Sequence, residues 1–194
     1  MKTLIIIPSR MSATRLPGKP LLKIAGKSII SHVFKRAENA NIGEVVVAAE
    51  DQEIIDDVKN NGGNAVLTSK NHKTGTDRIF EALNLMNKKD IDFIMNIQGD
   101  EPDIDVSDIK VLDSMMKHNK SNMGTLAANI DNENIYVNEN VVKVKIKEPF
   151  EKNPFPLAEK FMRKLDDKIN IYHHIGIYSY GVETLKKFIS FRQS

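Results

Sequence analysis

The chain has 194 residues, enough for one substantial α/β domain with a small appended lobe. Its hydrophobic fraction of 41% and charged fraction of 28% are those of a soluble globular protein, and a net charge of +2 is too small to point to nucleic acid or an anionic membrane as partner. With no cysteine, it has no disulfide, thiolate zinc site or cysteine nucleophile, and it fits a reducing cytosol.

The N-terminal apolar run, Leu4–Ile7, is well short of the ~7–15 residues of a signal core, and no small-residue cleavage site follows it. No window approaches the length needed to cross a bilayer. A cytoplasmic protein is expected.

Leu4–Ile7 is the first of four continuous apolar runs, with Val45–Ala49, Ala65–Leu67 and Phe93–Ile97, as expected of strands buried on both faces. Between them Ile29–Ala37, Ile54–Lys59 and Ile79–Met86 carry apolar residues at helical spacing. Gly62-Gly63 ends the second in the manner of a left-handed cap. The alternation predicts an α/β fold, a mostly parallel sheet with helices on both faces.

The second half reads as strands at Leu126–Ile130, Val141–Ile146 and Tyr172–Tyr180. The last two alternate as a one-sided, partly exposed sheet does. Lys147–Lys168 is charged, carries Pro149, Pro154 and Pro156, and reads as a mobile insertion with one helix near Leu157–Leu165. A single domain is expected, with a larger core over 1–120 and a smaller mixed β sub-sheet over 121–194.

The segment Pro8–Leu21 begins where the first strand ends, the edge at which open α/β sheets bind ligands. Arg10, Arg15 and Lys19 fall within it, while Ser12, Ala13 and Gly18 are small enough to let backbone amides approach an anion. Arginine offers forked donors to phosphate oxygens and lysine a mobile point charge, so the loop suits a triphosphate. Two competing phosphate motifs fail. Leu21–Ser28 ends like a Walker A loop but begins with leucine, and Lys19 is followed by proline. Gly26-Lys27 is read instead as a turn, with Ser28 as a helix cap.

Arg15-Leu16-Pro17-Gly18-Lys19-Pro20-Leu21 resembles the signature of the 3-deoxy-manno-octulosonate cytidylyltransferase family. The resemblance continues through Thr74-Gly75-Thr76-Asp77-Arg78, Asn96–Pro102, Val142-Lys143-Val144 and His174-Ile175-Gly176-Ile177-Tyr178. These motifs span nearly the whole chain in the family's order. The resemblance implies a Rossmann-like fold of the nucleotide-diphospho-sugar transferase type, and transfer of CMP from CTP to the anomeric hydroxyl of the eight-carbon sugar acid (Kdo) for lipopolysaccharide biosynthesis. It also implies a magnesium ion and a homodimer. Rival readings are a cytidylyltransferase for a sialic-acid-like sugar, and a nucleotide-binding homologue without turnover.

Asp100 follows the strand Phe93–Ile97. A lone aspartate there is usually a turn former or helix cap, yet a phosphate-bound Mg²⁺ often takes only one or two carboxylates. The resemblance makes Asp100 the expected metal ligand and, with Arg10 and Lys19, a catalytic residue. Glu101 and Asp103 read as solvated neighbours. Ala13, Arg15 and Arg78 join Arg10 and Lys19 as nucleotide-binding residues, although Arg78 could instead pair with Asp77 or Glu81 at a helix start. Gln98 is either a strand-end amide satisfied by backbone or a donor to the sugar acid; the resemblance favours the second. Adjacent His173 and His174 must face opposite ways on a strand, and the resemblance assigns His174 to the sugar site.

The chain departs from the family pattern at Lys160-Phe161-Met162-Arg163, where Met162 replaces a hydroxyl donor while Arg163 keeps a cation for the sugar carboxylate. It also stops at Phe191-Arg192-Gln193-Ser194, where relatives continue for several tens of residues. A C-terminally truncated chain is therefore expected.

Overall fold

The computed structural model describes residues 1–12, 16–165 and 167–191. In chain order it runs through β1 (Thr3–Ser9), a 3-10 turn (Lys19–Leu21), β2 (Lys23–Ile24), β3 (Lys27–Ser28), α1 (Ile29–Asn39), β4 (Gly43–Ala49), α2 (Gln52–Asn60), β5 (Ala65–Leu67), α3 (Gly75–Met86), β6 (Phe93–Asn96) and α4 (Val106–Asn119). There follow β7 (Met123–Ala128), α5 (Glu133–Val137), β8 (Lys143–Ile146), β9 (Ala158–Met162), β10 (Ile171–Gly181) and α6 (Val182–Ser190). Two compact units result, one of Met1–Gly124 with Ile177–Ser194 and one of Thr125–Gly176.

In the larger unit β5, β4, β1 and β6 lie side by side and parallel. The C-terminal end of β10 adds an antiparallel strand, pairing Tyr178 with Asn96 and Gly181 with Phe93. Leu4, Ile5, Ile6 and Ile7 are wholly buried, as a run without polar alternation requires. Leu4 and Ile6 face Ile79, Ala82 and Leu83 of α3 and Leu185 of α6. Ser9, two residues beyond Ile7 and four beyond Ile5 on the same face, lies on the α1 side, where Gly99 approaches both Ser9 and Ile30. Helices thus cover both faces.

Local signals set the element ends. Ser28 caps α1 by accepting from Ser31 N at 3.2 Å, and Asp57 holds the Ser28 hydroxyl at 2.5 Å and that of Ser31 at 3.0 Å. This is the cap expected from sequence, and it leaves Lys27-Ser28 no phosphate role. Gly62 follows α2 at φ +81, the left-handed conformation that ends a helix most cheaply in glycine.

In the smaller unit β8 pairs antiparallel with β9 and with the N-terminal end of β10, and β7 also pairs with β10. The helix expected near Leu157–Leu165 is instead β9, whose Phe161 lies opposite Val144 and Lys160 opposite Lys145. Residues before Pro154 and Pro156 are steered away from helical backbone, and Lys147 N bonds to Leu157 O at 2.9 Å, so sheet pairing wins over weak local helicity. Lys143 is fully buried, and its ammonium donates to the carbonyls of Asn138, Val141 and Arg163 at 2.8, 3.0 and 2.6 Å.

Candidate active site

Three chain segments that leave the carboxyl ends of β1, β5 and β6 border one cleft of about 410 Å³. From β1 come Pro8, Ser9 and Arg10, from the following turn Lys19 and Pro20, and from beyond β6 Gln98, Gly99 and Asp100. His72, Thr74, Gly75 and Arg78, at and before the start of α3, form the remaining wall. This is the strand-end location at which open α/β sheets bind ligands.

The loop after β1 is pinned at both ends. Met11 N donates to Asp51 Oδ2 at 2.8 Å, Ser12 Oγ to Glu50 Oε1 at 3.2 Å, and Gly18 N to Met11 O at 3.0 Å. Gly18 takes φ +74 at the start of the 3-10 turn that presents Lys19, a conformation costly for other residues. In the loop after β6 a Cβ at Gly99 would lie 2.9 Å from the Pro8 carbonyl oxygen and 3.2 Å from Ile30 Cδ1. Glycine is needed there for the β6 loop to sit against β1 and carry Asp100 to Lys19.

Lys19 Nζ meets Asp100 Oδ2 at 2.7 Å, with the two side chains 32% and 53% exposed. Arg10, by contrast, has no side-chain hydrogen bond or ion pair to the described residues and stands exposed at the cleft. Glu101 is not the solvated neighbour read from sequence. Burial and then the charge of Asp100 push its carboxyl above the usual range, against a downward pull from Lys19.

Charge is distributed differently on the α3 wall. The Arg78 guanidinium, 3% exposed, pairs with Glu50 and also donates to Thr68 Oγ1 at 2.5 Å and Ser69 O at 3.2 Å. Neither Asp77 nor Glu81, the partners considered from sequence, holds it. Asp77 instead completes a capping box, its carboxylate accepting from Thr74 N at 3.2 Å while Thr74 Oγ1 accepts from Asp77 N at 3.2 Å. His72 Nε2 bonds to Glu81, which also accepts from Ser69 N at 2.8 Å. Burial raises the Glu81 carboxyl, but these bonds and the nearby charges hold it below its ordinary value.

Of the residues picked out from sequence, Arg10, Lys19, Arg78, Gln98 and Asp100 line this cleft together. Ala13 and Arg15 lie outside the described residues. Gln98 is half-buried and reaches Asn96 Oδ1 only at 3.4 Å. Arg163 and His174 belong to the smaller unit. Arg163 Nη1 donates to the carbonyls of Glu139 and Asn140 at 3.0 Å each. His174 Nε2 lies 3.0 Å from Thr125 Oγ1, with Phe161 edge-on to its ring, and burial followed by the charge of His173 lowers its pKa. Sequence reasoning missed His72, Glu50 and Ser9. His72 could have been found two residues before the Thr74–Arg78 segment, whereas Glu50 carries no local signal.

No group of three or more acidic or histidine side chains able to hold a metal occurs among the described residues. Asp100 offers a single half-exposed carboxylate in a basic cleft. That donor set suits a Mg²⁺ whose remaining ligands are phosphate oxygens and water, and does not suit an ion caged by protein alone.

A strand-end cleft in which a basic loop meets an aspartate, in a mostly parallel sheet, defines a nucleotidyltransferase. Residues 4–194 match the cytidylyltransferase family model. The 3-deoxy-manno-octulosonate cytidylyltransferase of Thermodesulfovibrio yellowstonii is 39% identical over 100% of this chain and 81% of its own length, and that of Rhodopseudomonas palustris 41% identical over 97% and 78%. The solved structure of a CMP:2-keto-3-deoxy-manno-octonic acid synthetase complexed with CTP superimposes with a TM-score of 0.86 at 33% identity, covering 100% of this chain and 80% of the other. The chain belongs to the 3-deoxy-manno-octulosonate cytidylyltransferase family.

Proposed function

We propose that this protein transfers CMP from CTP to the anomeric hydroxyl of 3-deoxy-D-manno-octulosonate, a step of lipopolysaccharide biosynthesis, with Mg²⁺ as the required ion. The hydroxyl oxygen attacks the α-phosphorus, the bond to the β-phosphate's bridging oxygen breaks, and pyrophosphate leaves while the hydroxyl proton passes to solvent. Such a displacement needs charge neutralisation and in-line placement more than a covalent nucleophile.

The observation that carries this reading is the convergence of Arg10, Lys19 and Asp100 on one cleft at the carboxyl edge of the sheet. Arg10 and Lys19 would hold triphosphate oxygens, joined by Ala13 and Arg15 on the grounds of the family resemblance. Asp100 would hold Mg²⁺, which supplies charge neutralisation at the phosphates when bound. Arg78 contributes by fixing the wall around Glu50 and Ser69. For the sugar acid the resemblance proposes Gln98, Arg163 and His174, and it likewise supports a cytoplasmic homodimer.

The test is pyrophosphate release from CTP and the sugar acid, with Mg²⁺ and with a chelator, beside a parallel series with sialic acid. Release that requires both Mg²⁺ and the eight-carbon acid is expected. Release with sialic acid alone would move the substrate to another acidic sugar, and no release with either would remove the transfer reaction.

A further inference from the structure

The charges of the cleft are divided, and the division orients a nucleotide in it. On the side of the β1 and β6 loops stand Arg10, with no partner among the described residues, and the half-exposed Lys19–Asp100 pair. On the α3 side the charged groups behind the wall are already engaged: Arg78 pairs with Glu50, and Glu81 accepts from Ser69 N and bonds His72 Nε2. The α3 N-terminus, which would otherwise attract an anion, is filled by its own Asp77 carboxylate. An uncharged heterocycle suits that wall and a phosphate does not.

We infer that His72 reads the base, its Nδ1 accepting a hydrogen bond from the exocyclic amino group of cytosine. This rests on the cytidylyl reading above and deepens it. Glu81, held below its ordinary pKa, accepts only and engages Nε2, so Nε2 carries a ring hydrogen, and in that tautomer Nδ1 is the acceptor left to the cleft. Nδ1 has no partner among the described residues, and His72 lines the cleft half-buried. Cytosine carries an amino donor where uracil carries a carbonyl acceptor, so the same nitrogen that pairs with one opposes the other. Glu81 is then a positioning residue, fixing which face of the imidazole chemistry the cleft meets.

The test is calorimetric titration of the protein with CTP and UTP, in the wild type and in His72→Gln. Glutamine retains a donor near the Nε2 position to hold Glu81 but has nothing at Nδ1, so the wall is kept while the reader is removed. Wild type should prefer CTP, and His72→Gln should lower the CTP-to-UTP preference roughly tenfold or more, since an acceptor facing an acceptor is the strongly rejected arrangement. A folded His72→Gln protein with an unchanged preference would overturn the assignment. Should that variant not fold, ¹⁵N spectra of the wild-type imidazole decide: the Nδ1 resonance should move with CTP and not with UTP, and no CTP-dependent change would overturn it. Equal affinity of wild type for both nucleotides would instead sink the cytidylyl reading itself.

Discussion

Lys19 and Asp100, 81 positions apart in sequence, meet at 2.7 Å across the cleft. The pair is a ground state that a nucleotide must reorganise, because Lys19 cannot hold both a phosphate oxygen and Asp100 at full strength. Asp100 would hold the metal ion that accompanies the triphosphate, and Lys19 would then be free to donate to the phosphates. The half-exposed setting keeps the exchange cheap, since solvent screens what is lost.

Asp100→Asn should therefore separate two properties. The amide keeps the shape but not the charge that a hard cation requires, so magnesium-dependent turnover should fall by on the order of a hundredfold or more. Metal-free CTP binding should not weaken, because a carboxylate that repels the triphosphate has gone and Lys19 is freed. Single-turnover rates and calorimetry without metal check the pair, and near-normal turnover would remove Asp100 as the ligand.

Arg10→Ala and Lys19→Ala should both weaken CTP binding, each by roughly 1.5–3 kcal/mol for a charge-assisted bond. Their effects on the unliganded protein should differ. Arg10 has no side-chain partner to lose among the described residues, so its removal should leave thermal stability unchanged, while Lys19→Ala strands Asp100 beside Glu101. Melting curves beside the titrations check this, and a large stability loss in Arg10→Ala would show an unrecognised structural contact.

Arg78→Ala should behave as a stability mutation first. It leaves Glu50, only 10% exposed, without its cation. Breaking a buried pair this way costs roughly 3–5 kcal/mol, or on the order of 10 °C in melting temperature for a chain of this size. Adding Glu50→Gln should recover part of the loss. If Arg78→Ala melted normally yet failed to bind CTP, the guanidinium would be contacting the nucleotide directly.

Gly99→Ala should slow turnover more than it weakens CTP binding. The added methyl meets backbone, the Pro8 carbonyl oxygen at 2.9 Å, so the loop must shift and carry Asp100 with it. Displacements of about 1 Å can cost on the order of a hundredfold in rate. Equal losses in binding and rate would show that the loop moves as one body with the phosphate cradle.

The sheet was legible where apolar runs are buried on both faces: β1, β4, β5 and β6 fall on Leu4–Ile7, Val45–Ala49, Ala65–Leu67 and Phe93–Ile97, with ends within two residues. The helix α4 was missed although Ile109, Leu112 and Met116 are buried at helical spacing, because Asp108, Lys110 and Asp113 break its apolar stripe. β9 was misread because its stabilisation comes from long-range pairing with β8 and not from its own residues. In the site, cations and aspartate were legible from motif and strand-end position. Their pairing was not: that Glu50 holds Arg78 and Glu81 holds His72 depends on how α3 packs beside β4 and the segment after β5, which no local pattern states.

Glu101 supplies a pH test with a defined sign. Burial and Asp100 raise its folded-state pKa above the 4.5 of an ordinary glutamate. A carboxyl raised in this way contributes stability that is fully present below the unfolded value and is lost as pH rises through the folded one. At neutral pH the wild-type protein therefore holds a half-buried charge against its preference, and Glu101→Gln, neutral at every pH, should melt higher. Below about pH 4.5 both carry a neutral group there, and the two melting curves should converge. The comparison also bears on Asp100, whose charge is one cause of the shift. In the Asp100→Asn background the stabilisation from Glu101→Gln should shrink, because the like-charge contribution has been removed. A Glu101→Gln protein that melts lower than wild type at pH 7, with the gap widening as pH rises, would show that the Glu101 charge is instead held by a favourable contact.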